Sequence, residues 1–318
     1  MAEAMLGRMA RVRMFGKSPV GVYLRLNEWV WNRLPRFMRT LRPISSYGLL
    51  LNSLVRLHSD RQMYLDTLFL RNRPELALIR RLANLRGKGR PVKIAVLGSS
   101  NGAEVYSVMW AVRSAQRDCK LIMQAMDISA RVVKFAQEGI YSAVASEFVK
   151  ESIFQRLTEG EMREMFDREE GRFRIKPWIK EGIAWHVGDA GDPRILDVLG
   201  PQDIVVANRF LCHMGPQDAE RCLRNIAGLV APGGYLFVSG IDLDVRTKVV
   251  SDLGWKPCQD LIEDIHDGDS SLRVDWPCKY WGLEPMNKRR RDWKIRYASV
   301  FQLGEANLTP AGPGPPET

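Results

Sequence analysis

Between residues 92 and 240, short apolar runs rich in β-forming residues alternate with helix-forming stretches, and this alternation constrains the fold more than anything else in the chain. "VKIAVLG" precedes "GAEVYSVMWAVRSAQ", and "KLIMQAMD" precedes "SARVVKFAQEG". After a mixed, mostly helical stretch at about 139–180, the pattern continues through "IAWHVGDA", "QDIVVANRF", "GPQDAERCLRNIAGLV" and "GGYLFVSG". Strands this short, separated by helices, predict an α/β fold with a doubly wound, mostly parallel sheet and right-handed crossovers. "IRYASVFQL", with β-branched and aromatic residues, predicts one further strand.

Ahead of the sheet, residues 20–90 read as a helical N-terminal domain. "VYLRLNEWVWNRLPRF" is amphipathic but broken at Pro35, and "RPELALIRRLANL" carries Pro74 early in a helix. "RGKGRP" is a hinge that sets a boundary near residue 90. The resulting organisation is a basic disordered tail at 1–19, the helical domain at 20–90, the α/β domain at 91–304 and a Pro/Gly-rich disordered tail at 305–318. All of the excess positive charge is N-terminal. Residues 1–90 hold 18 Lys+Arg against 5 Asp+Glu, and the remainder 29 against 32. This reads as a solvated helical face with a basic tail, or as a surface that steers an acidic partner. The apolar runs fall short of the ~20 residues of a membrane span, and no signal-peptide core is evident. Five scattered cysteines, never spaced C-x-x-C, predict neither disulfides nor a zinc site and fit a cytoplasmic location.

In an open parallel sheet the ligand lies beyond the carboxyl ends of the strands. The first predicted strand ends at Gly98, and Ser99, Ser100, Asn101 and Gly102 form a small-residue turn into a helix. The second ends at Asp127, where a carboxylate can accept the hydroxyls of a ribose. The third runs into Asp189, able to accept from an adenine amino group, and the fourth ends at Asn208 and Arg209. Four polar strand ends on one crevice predict a nucleoside ligand. A pyrophosphate would favour a bare glycine turn, but only two glycines are present and Glu104 stands in the first turn of the helix. A carboxylate there complements a cation, which favours S-adenosyl-L-methionine over a nicotinamide dinucleotide. The bland alternative is that Glu104 merely complements the helix N-terminus, worth ~1 kcal/mol or less.

These residues carry a family resemblance. "GSSNGAEVYSV" and "AMDISARVVKFAQEGIYS", with "TLFLRNRPEL" upstream and "DIVVANRFLCHM" and "LVAPGGYLFVSG" downstream, resemble the chemotaxis-receptor methyltransferase (CheR-type) family over roughly residues 60–245. The resemblance implies a seven-stranded class I methyltransferase sheet with a helical N-terminal domain, the last strand antiparallel. It also implies S-adenosyl-L-methionine as cofactor and S-adenosyl-L-homocysteine as product. By it, Thr67 and Arg71 touch the cofactor from the N-terminal side. Glu104 holds the methionine ammonium, Asp127 with Ile128 the ribose, and Asp189 with Ala190 the adenine edge, while Asn208 and Arg209 lie near the methyl group. This chain departs from the family pattern in its Asn208-Arg209 order, in having His213 where the family has an aromatic, and in residues 242–296, which match no family segment. Those departures point to an acceptor other than a chemoreceptor glutamate.

Methyl transfer from a sulfonium is an in-line displacement, so the protein mainly aligns the partners. A base is needed only if an alcohol, phenol or amine acceptor arrives protonated. His213 is the candidate base, with a structural role as the even alternative; Arg209 and Arg71 complete the candidate catalytic set. Arg71 can clamp an acidic group, whereas Arg73 suits a salt bridge. "EDIHDGD" reads as a solvated acidic loop, not a metal site, and Trp276, Trp281 and Trp293 as pocket walls or core. "KRRRDW" reads as surface charge, and nucleic acid is disfavoured as a partner. The expected partner is a small-molecule or protein methyl acceptor with oxygen or nitrogen as nucleophile. The competing reading is a non-catalytic binding or regulatory protein that uses its basic N-terminal region.

Overall fold

The strands run in chain order as β1 (Val92–Leu97), β2 (Leu121–Asp127), β3 (Ile140–Ser142), β4 (Phe166–Glu169) and β5 (Arg172–Ile175). They continue as β6 (Ile183–Val187), β7 (Gln202–Asn208), β8 (Val230–Ser239), β9 (Lys256–Pro257) and β10 (Val300–Gln302). This computed structural model describes residues 19–35, 38, 43, 47, 51, 67–116, 119–149, 151–268 and 286–304 of the 318. The tails expected at 1–19 and 305–318, except Pro19, lie outside the described residues, as do most of 36–66, Trp276 and Trp281.

Seven strands form one sheet in the order β6-β2-β1-β7-β8-β10-β9. The five from β6 to β8 pair in parallel, while β10 is antiparallel to both β8 and β9. This is the sheet expected of a class I methyltransferase, with its last strand reversed. β7 is buried at all seven positions, as a central parallel strand covered on both faces must be. The period of two sorts its side chains: Ile204 and Val206 join one core, Val205 and Ala207 the other. β1 divides likewise, with Ile94 and Val96 on one face and Ala95 and Leu97 on the opposite one.

Helices fill both faces. α1 (Pro19–Arg33) stands at the start of the described chain, so the expected tail gives way to helix at Pro19. α2 (Arg73–Arg86) opens on the Asn72 N-cap, whose side chain accepts from the Glu75 N–H, with Pro74 in the first turn. Its Leu78, Ile79, Leu82 and Ala83 enter the same core as Ile94 and Val96, so the turn near residue 90 is not a break in packing. α3 (Ala103–Arg113) follows β1, and α4 (Ala130–Glu138) follows β2. α5 (Pro216–Ala227), α6 (Leu243–Asp252), α7 (Ile262–Asp267) and α8 (Trp293–Tyr297) complete the other layers. No helix among the described residues is long and apolar enough to cross a membrane.

Two local expectations are corrected. The stretch 139–180, expected to be mostly helical, contains a three-stranded antiparallel sheet, β3-β5-β4. Glu170 and Gly171 both take positive φ (42° and 80°) and close β4 onto β5 in a two-residue hairpin, a turn chemistry that outweighs the helical composition around it. In "IRYASVFQL", Ile295–Tyr297 belong to α8, and only Val300–Gln302 form strand. Arg296 N–H donates to Asp292 C=O at 2.8 Å, so the aspartate before Trp293 nucleates a helical turn that consumes the first half of the run.

Candidate functional site

The sheet order itself assembles a site. Reading the carboxyl edges across β6-β2-β1-β7-β8 gives, in sequence, Asp189 just past β6, Asp127, the turn 98–102, Asn208 and Ser239. Residues far apart in the chain thus form one row.

The turn after β1 is held from several sides. Gly98 has φ 66°, and a Cβ there would lie 2.8 Å from the Phe210 ring. Gly102, with φ 88°, is enclosed by Tyr106, Ala136 and the Tyr141 hydroxyl, each about 3.1–3.2 Å from where a Cβ would sit. Tyr141 donates to the Asn101 carbonyl and Tyr106 to the Ala136 carbonyl, both at 2.6 Å. "AQEGIY" therefore supports the turn physically: Ala136, Gly139 and Tyr141 all lie against it or against Tyr106. Ser99 and Ser100 keep buried hydroxyls without a hydrogen-bond partner among the described residues, and Ser100 is held at φ 49°. Asp127 accepts from the N–H groups of Ser100 (2.8 Å) and Ser129 (3.1 Å). Burial pushes its carboxyl up, with the N–H bonds from Ser129 and Ser100 opposing.

Next to this turn opens a cavity of about 720 Å³, counting the part open to solvent. Thr67, Arg71, Glu75, Glu104, Asn208, Arg209 and His266 all line it. The segment bearing Thr67 and Arg71 is anchored by its apolar neighbours. Phe69 packs edge-on to Tyr141 and Phe166 at 5.1 and 5.0 Å, and the Leu70 N–H donates to Ser107 Oγ at 2.9 Å.

Asn208 organises the cavity floor. Its Nδ2 donates to Glu75 Oε1 at 2.7 Å and to Glu104 Oε1 at 2.8 Å, while its Oδ1 accepts from the Ser239 hydroxyl at 2.7 Å. Burial, and then the Glu104 charge, push the Glu75 carboxyl up to about 8, against the pull of Asn208, Arg209 and Arg71. Burial also pushes Glu104 up, opposed by Asn208, Arg71 and Arg209. Arg209 has φ 64°, and Gly240 fits beside it only because it lacks a side chain: a Cβ there would lie 2.6 Å from the Arg209 Cα. Leu70, Ser100 and Arg209, three of the five non-glycine residues at positive φ among the described residues, flank this site, where such strain tends to collect.

The structure brings Thr67, Arg71, Glu104, Asn208 and Arg209 together at the cavity. Gly98, Ser99, Gly102, Asp127 and exposed Ile128 lie at the adjoining β1 and β2 ends. Asp189 accepts from the Gly191 N–H at 2.8 Å, and the Ala190 carbonyl accepts from Asn225 at 2.9 Å, at the end of β6. His213, expected as a base, closes the one-turn 3₁₀ segment Leu211–His213 and is not among the cavity-lining residues. His266 lines the cavity instead, buried on α7 with its ring edge-on to Tyr297 at 5.3 Å. "EDIHDGD" thus supplies a cavity wall: Ile262 and Ile265 mark the buried face of α7, and His266 lies beside them. Glu75 is another cavity residue that the sequence does not reveal. An acid in the first turn of α2, after an N-cap and a proline, reads as a dipole partner, and only the fold turns it inward. Arg73, by contrast, pairs with Glu161 at 2.6 Å as a structural salt bridge.

Residues 66–243 match the family described as CheR methyltransferase, SAM binding domain. The chemotaxis protein methyltransferase of Vibrio parahaemolyticus is 28% identical over 163 residues, covering 49% of this chain and 56% of that protein. The probable biofilm formation methyltransferase WspC of Pseudomonas aeruginosa is 25% identical over 192 residues, covering 58% of this chain and 43% of WspC. This chain therefore spans about half the length of the curated relatives it matches. Among solved structures, an O-methyltransferase family protein from Burkholderia thailandensis covers 92% of this chain and 74% of its own at 13% identity, with a TM-score of 0.36.

Proposed function

We propose, since the chain belongs to the CheR methyltransferase family, that it is an S-adenosyl-L-methionine-dependent methyltransferase acting on an oxygen or nitrogen of a small molecule or protein. The observation that carries this is the Glu104 carboxylate in the cavity wall, beside a glycine turn whose buried serine hydroxyls lack partners among the described residues. A phosphate-bearing ligand would be repelled there. A ligand with a ribose, an adenine and an ammonium matches the donors and acceptors in order along the sheet edge.

When bound, the cofactor supplies a methyl group activated by a sulfonium. The protein's part is binding and alignment. Asp127 is held by two N–H groups in position to accept ribose hydroxyls, and Asp189 with Ala190 bounds the adenine side. Glu104 takes the ammonium, while Arg71 and Arg209, which line the same cavity, orient the anionic groups of the ligands. Of the two histidines considered, His266 is the one positioned to meet an acceptor. The Asn208-Arg209 order, together with cavity residues drawn from α6 and α7, argues for an acceptor other than a chemoreceptor glutamate. No observation favours the non-catalytic reading. Isothermal titration with S-adenosyl-L-homocysteine tests the assignment: micromolar binding is expected, and absence of binding by the folded protein would refute it. A screen of acceptors with methyl-labelled cofactor then identifies the nucleophile.

A further inference from the structure

Glu75 occupies a position from which a helix gains little by burying it. In the first turn of α2 a solvated carboxylate would complement the helix N-terminus, and Asn72 already caps the free N–H groups. Yet the side chain turns inward, is only 5% exposed, and shares one amide nitrogen with a second, partly buried acid, Glu104. Its side-chain hydrogen bond to Asn208 uses Oε1, and the residue lines the cavity. Two carboxylates on one amide oppose each other's ionisation in a buried site, with Arg71 and Arg209 pulling the other way, so the pair is a place where a proton can give way to a ligand's positive charge. The remaining charged or titratable groups lining the cavity are Arg71 from the segment before α2, Arg209 beyond β7, Arg246 from α6 and His266 from α7. Arg246 is committed to the carbonyls of Val238 and Arg296, at 2.9 and 2.8 Å. Two acids and two arginines, Arg71 and Arg209, lining one cavity and interacting electrostatically suit a zwitterion, the pattern of an α-amino acid end.

We propose that Glu75 is a second acidic ligand for the ammonium of the cofactor's amino acid end, acting with Glu104 across the Asn208 amide, and that binding expels the proton the two acids share. This rests on the cofactor reading above and adds to it a residue and a proton. The balance is simple: the free site holds one proton on the carboxyl pair, the bound site holds the ligand's ammonium in its place, and the proton leaves to solvent. The site is thereby selective for ligands that bring their own positive charge, and it binds them more tightly as pH rises.

Titration of the full chain with S-adenosyl-L-homocysteine, at about pH 6.5, 7.5 and 8.5 in buffers of differing ionisation enthalpy, tests this. Wild type is expected to release a substantial fraction of one proton per ligand at the two lower pH values, and its affinity is expected to rise up to about tenfold per pH unit below about pH 8. Glu75→Gln is expected to bind more weakly at high pH and to release no proton. If wild type binds with no proton release, the proposal falls while the cofactor reading stands; if wild type does not bind at all, the cofactor reading itself falls. Equal proton release by wild type and Glu75→Gln overturns the proposal as well. Should Glu75→Gln fail to fold, wild-type proton release in two buffers decides alone.

Discussion

Glu75 and Glu104, on different helices, accept from the same amide nitrogen of Asn208, at 2.7 and 2.8 Å. Asn208 is held in turn by Ser239, so the donor cannot rotate away from either acid. Burial, and then the Glu104 charge, still push the Glu75 carboxyl up to about 8 from an ordinary 4.5, against the pull of Asn208, Arg209 and Arg71. A group whose pKa is raised by folding contributes stability that is complete below the unfolded value and is lost as pH rises through the folded one.

Free wild-type protein should accordingly lose about 3 kcal/mol of stability, relative to Glu75→Gln, between about pH 5.5 and about pH 8.5. Urea unfolding of both proteins at the two pH values measures this. Parallel pH dependence of the two would show that Glu75 does not hold the proton in the folded state.

Glu104→Gln and Asp127→Asn remove charged acceptors from adjoining strand ends. Each should weaken S-adenosyl-L-homocysteine binding about 10- to 100-fold, the loss expected for a hydrogen bond to a charged group. The thermal melts should show both variants still folded. Undiminished affinity in both would dismantle the site map.

Gly240→Ala forces a methyl within 2.6 Å of the Arg209 Cα at a position with φ +60°, and backbone cannot yield as a flexible side chain would. A cost of about 2–3 kcal/mol is expected, with weakened ligand binding because Arg209 must move. Chemical denaturation and titration together check it; a neutral substitution would mean that the Arg209 turn is not held by this contact.

Arg71 and Arg73 are two residues apart but should separate cleanly. Arg73→Ala breaks a half-exposed pair with Glu161, worth no more than about 1 kcal/mol, and should leave ligand affinity unchanged. Arg71→Ala should weaken affinity several-fold. A reversed order would exchange their roles.

His266 and His213 can be told apart by NMR of the imidazole protons. Addition of S-adenosyl-L-homocysteine should shift the resonances of His266, which lines the cavity, and leave those of His213 in place. The converse would restore His213 to the site.

Much of this was legible in the sequence because it is written in local periods. "VKIAVLG" alternates between two cores as a covered strand does, and "AMDIS" and "ANRF" place polar residues where parallel strands must end. Glu104 was legible as well, because a carboxylate opening a helix after a glycine turn contradicts a phosphate site. Glu75 was not. Its neighbours Asn72 and Pro74 account for it as a helix-start acid, and nothing nearby signals burial. His266 was hidden for a similar reason, surrounded by Glu263, Asp264 and Asp267 in a segment that reads as solvated.

Sequence by itself determined the α/β architecture and the row of polar strand ends, since each follows from the pattern of a few neighbouring residues. Only the tertiary structure decided that Glu75 would meet Asn208 across 133 residues of chain, that His266 and not His213 would face the cavity, and that Asn208 would be shared between two acids. Which side chains become neighbours when helices pack on a sheet depends on the whole core at once, and no local period encodes it.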